Sequence, residues 1–121
     1  MRGMTWLCFA IGILAFQLPA YSQSPPQASN VEPVRQQQEK QLEKAAEIDR
    51  RVRALSQEGK TTEALVLAKE SLSIRKKVLG EEHPDTATSL NNIGFLLQAQ
   101  GDYAAARPFL ERALEIYRKV L

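Results

Sequence analysis

Residues 45–79 read AAEIDRRVRALSQEGKTTEALVLAKESLSIRKKVL, and residues 87–121 read ATSLNNIGFLLQAQGDYAAARPFLERALEIYRKVL. Laid over each other without a gap at an offset of 42, the two stretches share nine residues. Ala45 falls on Ala87, Leu55 on Leu97, Gly59 on Gly101, Ala64 on Ala106, Leu72 on Leu114 and Ile74 on Ile116, and Lys77-Val78-Leu79 on Lys119-Val120-Leu121. Self-similarity at such a period is the mark of a stacked repeat, in which each unit buries its apolar face against its neighbours.

Within each unit the apolar residues recur at helical spacing, and no stretch alternates as a strand would. Four helices are expected. The first runs from about Gln38 to Gln57, with Leu42, Ala45, Ile48, Val52 and Leu55 on one face. The second runs from about Thr61 to Leu79, with a buried stripe of Ala64, Leu65, Leu67, Ala68, Leu72 and Val78. The third starts near Pro84, with His83 as N-cap, proline in the first turn and Asp85 facing the positive end of the helix dipole. Ala87, Leu90, Ile93, Leu97 and Ala99 supply its apolar contacts. The fourth runs from about Tyr103 to the end, carrying Ala106, Phe109, Leu110, Ala113, Leu114, Tyr117 and Leu121. Gly59 and Gly101 occupy the same turn, where a short helix–helix connection needs positive φ. Ala64 and Ala106 hold the same early place in the second helix of each pair, where a methyl group lets helix axes approach closely, and Gly94 offers a facing small surface.

Ser89 to Leu121 resembles a tetratricopeptide repeat. Leu90, Ile93, Gly94, Leu97, Gly101, Tyr103, Ala106, Leu110 and Ala113 occupy that motif's places. The link LGEEHPDTATSLNN and the ending ALEIYRKVL are similar to the kinesin-light-chain subclass of these repeats. The resemblance implies an all-α, tetratricopeptide-type α-solenoid of two helix-turn-helix hairpins, a degenerate first repeat at 38–80 and a second at 84–121. The first repeat departs from the motif: Arg51 and Val52 stand where the second has Ile93 and Gly94, and Ala68 where it has Leu110. That departure suits a terminal, capping unit. A solenoid needs about three repeats for a continuous core. Two repeats without a polar closing helix suggest the front of a longer protein or a reading frame that ends early.

Ahead of the repeats stand two segments of other character. Arg2, the unbroken apolar run Leu7 to Phe16, Pro19 and the small-residue pattern Ala20-Tyr21-Ser22 make a secretory signal peptide at 1–22. The run is about half the roughly 20 residues a spanning helix needs. Residues 23–37 hold three prolines and few large apolar groups, which predicts an extended, disordered linker. The chain is thus expected to be exported, to a periplasm or the exterior, with no membrane attachment after cleavage.

The remaining chemistry is sparse. The formal net charge is +2 and falls to +1 without Arg2, with acids and bases mixed along the chain, which gives no electrostatic reason for a nucleic-acid partner. Arg75-Lys76-Lys77 is too short a basic run to change that. The single cysteine, Cys8, lies in the signal, so the rest of the chain has no thiolate nucleophile or disulfide, and the single histidine, His83, has no second histidine or cysteine to share a metal. No phosphate-binding glycine loop and no nucleophile–base arrangement is present. No metal, cofactor or catalytic residue is expected.

The resemblance implies that the first helix of each hairpin lines a concave face. Asn91 and Asn92 are then peptide-binding candidates, since amides can hydrogen-bond an extended backbone. Phe95 and Gln98 follow Asn91 at i+4 and i+7 and share its face. On the first hairpin the equivalent places are Asp49, Arg53 and Ser56, and Arg53 joins the candidate set. Glu47–Arg51 and Asp49–Arg53 are also expected as i,i+4 pairs on a solvated face. The expected function is an exported scaffold that holds a peptide or a partner helix in this groove. The rival is the non-catalytic front of a larger enzyme, such as a caspase-like peptidase or another effector. Phe109, Ile116, Tyr117, Val120 and Leu121 are expected to form an open apolar edge on the last helix, through which copies self-associate.

If the N-terminus is a cleaved signal, N-terminal sequencing of exported protein begins at or near Gln23. Retention of Met1 in a membrane fraction would refute cleavage.

Overall fold

The computed structural model describes residues 27–121, with side chains from residue 31 onward. The signal segment 1–22 and residues 23–26 lie outside the described residues. Four helices are described: α1 (Gln27–Gln57), α2 (Thr61–Leu79), α3 (Pro84–Ala99) and α4 (Tyr103–Val120). No strand occurs among the described residues. Residues 38–121 form one compact unit of two successive helical hairpins, α1–α2 and α3–α4.

The expected linker needs correction. Residues 27–37 are helical, and α1 begins at Gln27 rather than near Gln38. Pro33 sits inside the first two turns, where its missing N–H removes one bond from a ladder barely begun. The run that follows, Gln36 to Lys44, consists of good helix formers and extends the repeat's first helix backward across it. Glu32 and Arg35 pair one turn apart, at 2.5 Å. Every residue from Val31 to Gln41 is exposed.

Ends and turns follow the sequence closely. His83 caps α3, its Nδ1 accepting from the Asp85 amide at 3.0 Å. Asp102 caps α4, accepting from the Ala105 amide at 3.1 Å. Gly59 (φ 78°) and Gly101 (φ 81°) make the two equivalent turns in the left-handed region, where a side chain would be strained.

The core combines both hairpins: Ile48 and Val52 from α1; Ala64, Ala68 and Leu72 from α2; Ala87, Leu90, Ile93, Leu96 and Leu97 from α3; Ala106, Ala113 and Ile116 from α4. Ala64 and Ala106 are both buried. At Gly94 an added Cβ would lie 2.4 Å from Leu110 Cδ2 and 2.6 Å from its Cγ, so the missing side chain is what lets Leu110 lie across α3. Several expectations fail here. Val78 is only half-buried and Ala99 is exposed, because each lies near the end of its helix. Leu114 faces solvent rather than the core, whereas Leu121 is exposed as expected of the open edge. Ile116, expected on the open edge, is fully buried: it stands ten residues after Ala106 and three after Ala113, on their side of α4. Leu96 joins the core unannounced, since three consecutive apolar residues (Phe95, Leu96, Leu97) leave the inward ones undecided by period alone.

The centre also holds a polar cluster. Arg75 of α2 is turned inward and meets Asp49 of α1 at 2.5 Å, with both side chains below 15% exposed. The same guanidinium nitrogen donates to Ser89 of α3 at 2.7 Å and to Ser71 at 3.3 Å, and Ser71 donates to the Ala45 carbonyl at 3.4 Å. The expected Asp49–Arg53 pair is therefore absent, because Asp49 is committed to Arg75. Glu47 pairs with Arg50 rather than Arg51. At the other side of the unit, Glu82 in the α2–α3 link receives Arg112 at 2.5 Å and Lys119 at 3.3 Å, and Arg112 also reaches Glu115 at 2.8 Å. Hydrogen bonds from Arg112, then Lys119, hold the Glu82 carboxyl below its ordinary value, and the Arg112 hydrogen bond does the same for Glu115.

Two outcomes follow. Arg75→Met leaves Asp49 enclosed without its cation and should lower unfolding free energy by about 3 kcal/mol. The double variant Asp49→Leu with Arg75→Met should recover much of that loss in urea melts, and strictly additive losses would show that the pair is not coupled. Because Glu82 and Glu115 are depressed in the folded state, their stabilising contribution is complete above the ordinary carboxylate value and disappears as pH falls through the lower folded values. Thermal melts taken from neutral to acid pH should fall over that range, less steeply for Glu82→Gln.

Candidate functional site

The first helices of the two hairpins, α1 and α3, border a groove of ≈ 340 Å³. Val52, Arg53, Ser56 and Gln57 line it from α1, and Asn92, Phe95, Leu96 and Ala99 from α3. Helical spacing explains the sets: 52, 53, 56 and 57 fall on one side of α1, and 92, 95, 96 and 99 on one side of α3. The two sets share two of their four repeat positions, since 53 and 57 move onto 95 and 99 at the offset of 42.

Val52 and Leu96 make a buried apolar floor. Phe95 stands above it and is 56% exposed, a large aromatic surface left to water. Arg53, Ser56 and Gln57 form an exposed polar rim opposite, and Asn92 is half-buried beside Phe95. The arrangement offers an apolar contact, an amide able to donate and accept, and one cation, a set that suits a peptide more than a reacting small molecule. Among the described residues no cluster of three metal-ligating side chains occurs. No described helix is long and apolar enough to cross a membrane.

Of the five candidates from the sequence, Asn92, Phe95 and Arg53 line this groove together. Asn91 and Gln98 do not line it; both are half-buried elsewhere on α3. Asn91 corresponds to Asp49 at the repeat offset. The floor was not legible beforehand, because Val52 and Leu96 form it only when set against each other across two helices. Gln57 and Ala99 were legible in principle, one turn beyond Arg53 and Phe95.

The family model for the tetratricopeptide repeat matches residues 44–119. The chain belongs to the tetratricopeptide repeat family. Tetratricopeptide repeats generally mediate protein–protein interaction, and the fold is typically a non-catalytic scaffold. Among individual proteins, the chain is similar to a clustered mitochondria protein homolog of Aspergillus clavatus, 36% identical over 58 residues. Homologs of the same name in Aspergillus niger and Emericella nidulans are 34% and 33% identical over 58 residues. Each match covers 48% of this chain and 5% of the relative, so the shared part is a small segment of much longer proteins.

Proposed function

We propose that this tetratricopeptide chain is an exported protein-binding module, and that the α1/α3 groove is where it holds an extended segment of its partner. The observation that supports this reading is Phe95, an aromatic side chain more than half exposed above an apolar floor. Burying such a ring on a partner removes apolar surface from water, worth about 25 cal/mol per Å². Asn92 and Arg53 supply direction: among the described residues neither side chain is engaged in an ion pair or a side-chain hydrogen bond. The amide is placed to meet a peptide backbone, and the guanidinium to meet a carboxylate. Export rests on the sequence pattern at 1–22.

The length of the relatives favours a second reading, in which these repeats are one non-catalytic segment of a much longer protein, an enzyme with an effector domain included. The coding sequence beyond Leu121 distinguishes the two.

A random peptide library displayed on phage and panned against the full chain tests the groove. Selected peptides should bind about tenfold more weakly to Phe95→Ala, and those with acidic residues more weakly to Arg53→Glu, as read by fluorescence polarisation. Both positions are exposed, so helix content by circular dichroism should not change. Peptides that bind both variants as well as the parent would place recognition elsewhere and sink the proposal.

A further inference from the structure

One flank of α4, next to the side that packs on α3, carries a seam of apolar residues spaced four, three and four: Leu110, Leu114, Tyr117 and Leu121. This is the spacing with which one helix packs along another. Leu110 and Tyr117 are half-buried against the core, whereas Leu114 is 49% and Leu121 99% exposed. The internal repeat shows what such positions do when covered. Leu72, the counterpart of Leu114, is only 7% exposed on α2, which packs against α3. Leu114 is thus exposed in this structure at a position that is covered in the first repeat.

The covering element is not supplied by head-to-tail stacking of copies. The α3 residues that face inward in the second hairpin include Thr86, Ser89 and Ile93, all buried. Their counterparts on α1 are Lys44, Glu47 and Arg51, all exposed. A second copy presenting α1 to α4 would have to desolvate those three charged groups beside Leu114, a cost that an apolar seam covering the same residue does not carry.

The charges beside the seam point to another arrangement. Glu111 and Arg118 flank Leu114 and line the same shallow hollow of ≈ 350 Å³ on α4. They stand seven residues apart, about 10.5 Å along the axis, too far to pair with each other. Their neighbours Arg112, Glu115 and Lys119 are already engaged with one another and with Glu82. Among the described residues, Glu111 and Arg118 have no ion-pair partner. With acid toward the start of the helix and base toward its end, the face is complementary to itself when reversed.

We propose that this flank of α4 is a self-docking surface on which a second copy of this chain lies antiparallel through its own α4. A two-fold axis then crosses the seam between Leu114 and Tyr117, and Leu110 meets Leu121 of the second copy. Glu111 faces Arg118 of the second copy, and Arg118 faces Glu111 of the second copy, so two ion pairs close over the apolar seam. The interface shares no residue with the α1/α3 groove.

Sedimentation velocity on the full chain across a concentration series tests this. The parent should show a monomer–dimer equilibrium, and Leu114→Asp should be monomeric with unchanged helix content. Glu111→Arg alone and Arg118→Glu alone each place like charges together twice and should weaken the dimer about tenfold. The double swap Glu111→Arg with Arg118→Glu should restore it, a rescue that association through the apolar N-terminal run or through α1 would not show. A parent that stays monomeric at high concentration overturns the proposal and leaves the seam to a different helical partner. A dimer that survives Leu114→Asp, or a double swap as weak as its singles, overturns it equally.

Discussion

Arg75 holds the first helix of one hairpin beside the first helix of the next. Its guanidinium is bonded to Asp49 on α1 and to Ser89 on α3, while its stem rises from α2 between them. The groove proposed as the binding site lies between those same two helices. Its width therefore depends on a short polar link as well as on apolar packing. A charge so enclosed is tolerable only because each of its partners is fixed by a helix that packs for other reasons. Ser71 adds a bond to the Ala45 carbonyl, so the second helix is tied to the first by its backbone as well.

The small residues set the rest of the geometry. Ala64 and Ala106 are buried at equivalent places, and Gly94 leaves room for Leu110 to cross α3. Ala64 and Ala106 were visible in the sequence because identity at a fixed offset marks them, and Gly94, which has Val52 as its counterpart, because a glycine inside a helix is costly without a packing reason. So were the glycine turns and the His83 cap, which depend on neighbours within four residues. What was not visible is what joins distant positions. Asp49 looked like half of a solvated i,i+4 pair, because nothing in the local pattern reveals that Arg75 reaches it from another helix. Ile116 and Leu114 were placed on the wrong sides of α4 because their helix carries apolar residues around more than half its circumference, and only the packed neighbour decides which are inside. The helical stretch at 27–37 was hidden by Pro33, whose breaking tendency outweighed the helix formers after it in a local reading but not in the structure.

For the candidate site, the face was legible and its depth was not. Phe95, Asn92 and Arg53 follow from helical phase and the repeat offset, whereas Val52 and Leu96 define a floor only when two helices are set side by side. Membership of the tetratricopeptide repeat family accounts for the general role in protein–protein interaction. It does not select a partner, since the relatives share only 5% of their length with this chain. In the proposed groove the two repeats differ at equivalent places, Arg53 against Phe95 and Gln57 against Ala99, and selectivity is proposed to reside there.

The second hairpin is the better provided of the two, with eight buried residues on α3 alone. The first contributes a thinner apolar set and relies on Arg75 to seat α1. In a linear array, stability is a sum of unit and junction terms, and a weakly built end unit can detach while the other stays folded. The groove exists only while α1 is seated. Any ligand that fills it must bind the seated form alone, so occupancy and the folding of the first hairpin are one linked equilibrium. If the proposed groove is the binding site, the module is a latch as well as a surface: part of the energy of recognition goes into closing the first hairpin, and affinity is tunable at Asp49 or Arg75 without altering a residue that lines the groove.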